Sequence, residues 1–200
     1  APAGSLVYDP PASGNLFGPA DHDDYTIALD AGQKATVRVT PAVAGLQVQV
    51  ELVDTDGTTV LDSAMAAAGQ TVLLQNVPIN HGGSYTVRVS SLGGAGSYET
   101  QLVLNAQLEA EAWSGSSNDT RGTAEDLDPS SLTLGGSATR LVALGNVAAA
   151  GSDWFCFTLA AGQSASLAVT RTDAPAASGL TLGLYDAAGT GVVGGGATHA

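Results

Sequence analysis

"DDYTIALDAGQKATVRVT", residues 23–40, is two alternating runs around a glycine turn. Tyr25, Ile27 and Leu29 share one face of the first run. In the second, Ala35, Val37 and Val39 share a face and Thr36, Arg38 and Thr40 point the other way. Period-two alternation on both sides of a short Gly-containing turn predicts paired β-strands, because successive side chains of a strand leave opposite faces. The stretch also occurs twice. "DWFCFTLAAGQSASLAVT", residues 153–170, matches it at a constant offset of 130. Whatever residues 23–40 form, the chain is expected to form again.

The pattern continues outward. "LQVQVELVD" (46–54) sets Leu46, Val48, Val50 and Leu52 against Gln47, Gln49, Glu51 and Val53. "SYTVRVSS" (84–91) and "SYETQLVL" (97–104) alternate with the aromatic and β-branched residues that favour strands. "DTDG", "NHGG" and "LGGAG" supply the turns. Short strands at this spacing, without a helical period of useful length, predict an all-β chain of antiparallel sandwich modules. The self-match extends as well: "GLQVQVELVDTDGTTV" (45–60) answers to "GLTLGLYDAAGTGVV" (179–193), and "SLVYDPPASGNLFGPA" (5–20) to "SLTLGGSATRLVALGNV" (131–147).

The copies are unequal. The first runs on through "QTVLLQNVPINHGGSYTVRVSSLGGAGSYETQLVLN" (70–105), three further strands, whereas the second has only "GGGATHA" (194–200). The expected organisation is a first sandwich over 1–107, an acidic Ser/Gly-rich linker over 108–130, and a second sandwich over 131–200 lacking its last strands. An open sandwich exposes an unpaired edge and half a core. Either the chain is expected to continue, or another subunit supplies strands by β-augmentation. The start, "APAGS", is expected to be that of a mature product or an excised segment.

Composition narrows the function classes. Six Lys and Arg face 19 Asp and Glu, for a net charge of −13 and a pI near 4.1. Such a surface repels phosphate backbones and anionic membranes, so no nucleic acid and no membrane insertion are expected. Charged residues make up 12% of the chain, about half the usual share. A single cysteine, Cys156, allows no intrachain disulfide. It stands mid-strand in "DWFCFTL" with nothing basic nearby, which predicts a packed thiol rather than a nucleophile. His22, His81 and His199 are scattered, and no nucleophile elbow or zinc-protease motif occurs. "GTGVVG" (189–194) matches a dinucleotide fingerprint only in letters, since no βαβ unit surrounds it. No enzymatic activity is expected.

Taken in order, "SNDTRGTAEDL", "GSDWFCFTLAAGQSASLAV" and "GLTLGLYDAAGT" resemble the bacterial pre-peptidase C-terminal domain, and "GGSYTVRVSS" with "GSYETQLVL" resembles that family's last two strands. The resemblance covers nearly the whole chain as two tandem copies. It implies jelly-roll-like sandwiches of the kind appended to secreted peptidases, similar to the collagen-binding domains of clostridial collagenases and generally non-catalytic. It also implies calcium, held by acids of the linker and of a D-x-D pair before a strand. In the second copy the positions are Glu109, Glu111, Asn118, Asp119 and Asp153, with Gly151 where the first aspartate of the pair belongs. In the first they are Asp21 and Asp23, joined by Asp24.

Calcium takes six to eight oxygens, so clustered carboxylates suit it, while a solvated strand entrance explains the same acids in the first copy. "VDTDGTT" (53–59) lacks the later acids of a calcium loop and reads as a hairpin turn. "NDT" (118–120) is a glycosylation sequon at Asn118. Trp113 is expected to pack on a module, and Trp154, opposite Phe155 and Phe157, to lie against the linker. Two functions follow as expectations for a secreted protein of a bacterial cell surface. One is a structural or adhesive module, a spacer or repeating fibre subunit exchanging strands with neighbouring copies. The other is an ancillary module of a secreted hydrolase that binds polysaccharide or extracellular protein.

Overall fold

The computed structural model describes residues 5–8, 11–148, 151–170 and 180–193. Contacts divide the chain into two compact units, Ala1–Phe157 and Thr158–Ala200. His199 and the "GGGATHA" run lie outside the described residues.

The first unit is a two-sheet sandwich. One sheet contains β1 (Val7–Tyr8), β2 (Ala12–Leu16), β4 (Lys34–Pro41), β7 (Val72–Pro78) and β9 (Gly96–Leu104). The other contains β3 (His22–Leu29), β5 (Gln47–Val53), β6 (Val60–Met65) and β8 (Gly83–Gly93). Strand order is β1-β9-β4-β7, with β2 also on β9, against β3-β8-β5-β6, and every pairing in the two sheets is antiparallel. The alternation read from the sequence sets the core. Leu29, Val37, Val39, Leu46, Val48, Val50 and Leu52 are all buried between the sheets, together with Tyr85 and Tyr98.

The outer face of β4 departs from expectation. Thr36 and Arg38 point away from the inter-sheet core as predicted, yet they are 0% and 5% exposed. A third layer covers them. The chain leaving β9 doubles back, so that Thr36 Oγ1 donates to Ala106 O at 2.8 Å and the Arg38 guanidinium stacks 3.8 Å from the centroid of the Trp113 ring. Val103, Ala106 and Leu108 form a small second core there, with Leu73, Trp113, Val142 and Leu144 packed on it. Trp113 therefore packs on the first sandwich, as its sequence context suggested.

Beyond β9, pairings are short. β10 (Gln107–Leu108) and β11 (Glu125–Asp126) run parallel to β14 (Ala143–Leu144) and β15 (Phe155–Cys156), and β12 (Leu132–Gly135) pairs antiparallel with β13 (Ala138–Arg140). The expected linker, 108–130, carries three 3-10 turns: Glu111–Trp113, Arg121–Thr123 and Asp128–Ser130. In the second unit, β16 (Leu184–Tyr185) and β17 (Gly191–Val193) form a hairpin. No helix among the described residues is long and apolar enough to cross a membrane.

The matched turns of the two copies share geometry. Asp30 N donates to Gln33 Oε1 with Gly32 at φ 84°, and Ala160 N donates to Gln163 Oε1 with Gly162 at φ 85°. Asp54 N bonds Thr59 O and Gly57 N bonds Asp54 O; Asp186 N bonds Thr190 O and Gly189 N bonds Asp186 O. Each of these four turns places its glycine at positive φ, where a Cβ is strained.

Candidate metal centre

β3 separates the acids of its entrance instead of gathering them. The pleat sends Asp23 and Asp24 to opposite faces. Asp21 closes its own turn, accepting from Phe17 N at 2.7 Å and His22 N at 3.0 Å. Asp23 accepts from the Tyr98 hydroxyl at 2.7 Å, and Tyr98 in turn meets the Tyr25 hydroxyl at 2.7 Å. Burial, then the bonds to Tyr25 and Asp23, drives the Tyr98 phenol far above its ordinary range. Asp24 faces Arg88 across the β3–β8 ladder in a two-pronged pair at 2.8 and 2.9 Å. The bond to Arg88 holds its carboxyl below the usual carboxylate range. Each of the three carboxylates has its own protein donor, and the arrangement is that of a strand entrance.

The acids after β9 converge. Glu109, one residue past β10, is 1% exposed, and its backbone N–H donates to Leu144 O at 2.9 Å. Its Oε1 accepts from Asn118 Nδ2 at 2.9 Å and its Oε2 from Asn146 N at 2.8 Å. Gly145 leaves room for it, since a Cβ there would stand 2.6 Å from Glu109 Oε2. Glu111 Oε2 accepts from Asn118 N at 2.9 Å. Asn118 O accepts from Trp154 N at 2.8 Å, which places Asp153 beside the same cluster and Trp154 against the linker. Ser117 Oγ donates to Asp119 Oδ2 at 2.6 Å. Glu109, Glu111, Asn118, Asp119 and Asp153 therefore meet where the 108–130 segment joins the strand that opens the second copy.

Electrostatics agrees with that convergence. Burial first, then the charges of Glu109, Glu111 and Asp119, push the Asp153 carboxyl up to about 6. Burial also raises Glu125, beside Gln107 Nε2 at 2.9 Å and Ala110 N at 3.1 Å. Asn118 Oδ1 is buried and accepts no hydrogen bond from any described residue. An orphaned buried amide oxygen ordinarily costs 1–3 kcal/mol. All the side-chain donors of the cluster are oxygens, the set a hard cation takes. As they stand, however, no three acidic, His or Cys side chains among the described residues group closely enough to hold a metal ion. The acids are gathered at the junction without being closed into a shell.

Several side chains correct the sequence reading. Asn118 is 1% exposed and its Nδ2 is bonded to Glu109, so the sequon has no accessible amide in the folded protein. Cys156 is exposed rather than packed, and partial desolvation of its thiol, then the charges of Asp126 and Asp128, raise its pKa, which leaves it a poor nucleophile. His81 Nε2 lies 3.0 Å from Asp54 Oδ1 and 3.1 Å from Thr55 Oγ1. Asp56 accepts from the Thr59 hydroxyl and from Thr59 N and Thr58 N, the hairpin turn expected of "VDTDGTT". Reading the sequence missed Glu125, Gly145 and Asn146, none of which stands in a spacing that marks it.

No family model matches the chain, and no curated protein matches it. Solved structures do. The pre-peptidase C-terminal domain of a collagenase from Bacillus anthracis is 20% identical over 46% of this chain and 87% of its own, with a TM-score of 0.38. PliG of Aeromonas hydrophila, a periplasmic inhibitor of g-type lysozyme, is 15% identical over 48% and 84%, at 0.36. The C-terminal carbohydrate-binding module, of family 6, of LamC, a laminarinase from Zobellia galactanivorans, is 16% identical over 52% and 92%, at 0.32.

Proposed function

We propose that this chain is a non-catalytic structural module of a secreted, surface-associated protein, built from two tandem copies of one sandwich, of which the second is completed by strands of a neighbouring copy. One observation carries the reading: equivalent positions of the two copies differ in burial. Leu29, Val37 and Val39 are 2%, 1% and 0% exposed, whereas their counterparts Leu159, Leu167 and Val169 are 46%, 39% and 52% exposed. Leu182 answers to Val48 and is 37% exposed against 1%. Each such side chain gains about 1.5–3 kcal/mol when removed from water, so the half-formed copy attracts a sheet that covers it. Light scattering and electron microscopy of the purified chain test the reading. Linear polymers are expected; discrete monomers that bind a glycan array instead would support the ancillary-module function and overturn this one.

Calcium belongs to the same proposal. Glu109, Glu111, Asn118, Asp119 and Asp153 would hold it, and the ion would neutralise the crowded carboxylates and use the orphaned Asn118 Oδ1. Bound there, it would tie the 108–130 segment to β15, which follows Asp153. Melting with and without chelator is the test. A ligand at 100 times its dissociation constant adds about 2.7 kcal/mol, and Glu109→Gln is expected to abolish that increment. Equal midpoints with calcium and with chelator would overturn the metal site and leave the structural role standing.

A further inference from the structure

Two apolar features of the first sandwich fit each other, but not within one molecule. The first is a knob. Loops 17–20, 42–46, 66–71 and 92–96 meet at one end of the sandwich and contain no ionisable side chain, on a chain of net charge −13. Glycines weld them together. A Cβ on Gly69 would lie 2.7 Å from Ala44 Cα, on Gly94 2.1 Å from Gly45 O, and on Gly96 2.4 Å from Val43 Cγ2. Ala20 N bonds Ser91 O and Ser91 N bonds Asp21 O, which fixes the 17–20 turn to the 92–96 loop. From this fixed end Phe17 projects 83% exposed, directly after Leu16, which is 0% exposed.

The second feature is a slot. Between the β2–β9 edge of one sheet and β3 of the other is a cavity of about 160 Å³, lined by Ala12, Tyr25, Ile27, Val37, Val87 and Leu102 among others, with no charged side chain. An apolar cavity of about 150 Å³ accepts a benzene ring. Phe17 cannot fill the slot of its own chain. It stands five residues from Ala12 along an extended strand, about 17 Å at 3.3 Å per residue. Its backbone is also pinned by the bond from Phe17 N to Asp21 Oδ2 at 2.7 Å.

We propose that Phe17 of one copy enters the β2/β3 slot of the next, making a second copy of this chain the partner of both surfaces. This inference rests on the structural, self-associating reading above and not on calcium. Knob and slot lie on different parts of the sandwich, so the contact is heterologous and propagates as an open filament instead of closing into a dimer. The four loops and the slot lining hold no charged side chain themselves, although the Asp21 carboxylate sits on Phe17 N, so copies this acidic approach there with less repulsion than across their acidic surface. A single phenyl ring is held with a Kd on the order of 1 mM. That is sufficient between copies tethered in one assembly, where effective concentrations are millimolar.

Sedimentation velocity of the full chain, across protein concentration and with added sodium sulfate, tests the contact. Sulfate strengthens apolar burial and screens the acidic repulsion. The wild-type sedimentation coefficient is expected to rise with both. Phe17→Ser removes the knob and Ala12→Phe fills the slot; each alone is expected to associate at least tenfold more weakly, down to what strand exchange alone supports, while their equimolar mixture regains one knob-in-slot contact per pair of unlike chains. Ala12→Leu replaces Ala12→Phe should the latter melt early. Association of undiminished strength in Phe17→Ser would overturn the knob and leave strand exchange standing. Association lost in Phe17→Ser but kept in both Ala12 variants would mean that the loop ends meet each other, which overturns the slot. A wild-type chain monomeric under every condition would overturn the inference and the self-associating reading together.

Discussion

Asp24, inside β3, and Asp153, two residues before β15, titrate in opposite directions because their neighbours differ. Asp24 has Arg88 opposite it, which lowers its pKa. Its contribution to stability is therefore present above the ordinary carboxylate value of 3.8 and lost as pH falls through the lower folded value. The pair is partly exposed, with side chains 33% and 39% accessible, so about 0.5 kcal/mol is expected. Urea unfolding of Asp24→Asn should show that loss at pH 7 and a smaller one at pH 2. Asp153 has burial and three acids around it, and its folded pKa is about 6. The folded state holds that proton more tightly, so the contribution is favourable below about pH 4 and is lost as pH rises through 6. In chelator, Asp153→Asn should accordingly raise the melting temperature at pH 7.5 and leave it unchanged at pH 4. A variant that melts lower than wild type at pH 7.5 in chelator would contradict the crowding of like charges. The sequence shows both aspartates before a strand. It does not show Arg88 opposite Asp24, since that pairing depends on the β3–β8 register.

At the scale of elements, β4 shows what alternation reveals and where it stops. Period two placed Val37 and Val39 inward and Thr36 and Arg38 outward, and both directions hold. Alternation describes one strand against one core, however, and β4 has cores on both faces. The second is made by the returning segment, whose Ala106, Leu108 and Trp113 follow no period of two or 3.6. The same blindness hid Gln107, which donates to Glu125 Oε1 at 2.9 Å and to Asp126 O at 3.1 Å and thereby fastens the covering layer. Trp113→Ala should cost about 3 kcal/mol, the lower end for a large aromatic, because Trp113 is partly exposed. It also leaves the Arg38 guanidinium, buried at 5% exposure, without its ring. Chemical denaturation measures the loss. A change below 0.5 kcal/mol, the range of an ordinary surface substitution, would mean that the layer does not contribute to the stability of the sandwich.

For the whole molecule, local stability should follow the unequal copies. Strands β4, β5, β8 and β9 are seven to eleven residues long and enclose the continuous core of the first sandwich. β15, β16 and β17 are two or three residues long, and Leu159, Leu167, Val169, Leu182 and Val192 around them are exposed. Amide exchange is slow where opening requires disruption of a core and fast where it does not. In dilute solution, residues 155–170 and 180–193 should exchange within seconds while β5 and β8 exchange only through global unfolding. Strand exchange predicts a specific change to this profile. A peptide of residues 83–104, carrying β8 and β9 of the first sandwich, should slow exchange across 155–170 and 180–193 and leave β5 unaltered. Protection confined to the first copy's exposed edges, β3 or β6, would instead show that the peptide adds to the sandwich already complete. The matching turns of 23–40 and 153–170 were legible because Gly32 and Gly162 recur in the same sequence setting. Which part of the chain holds a closed core was legible only indirectly, because closure depends on partners distant in sequence.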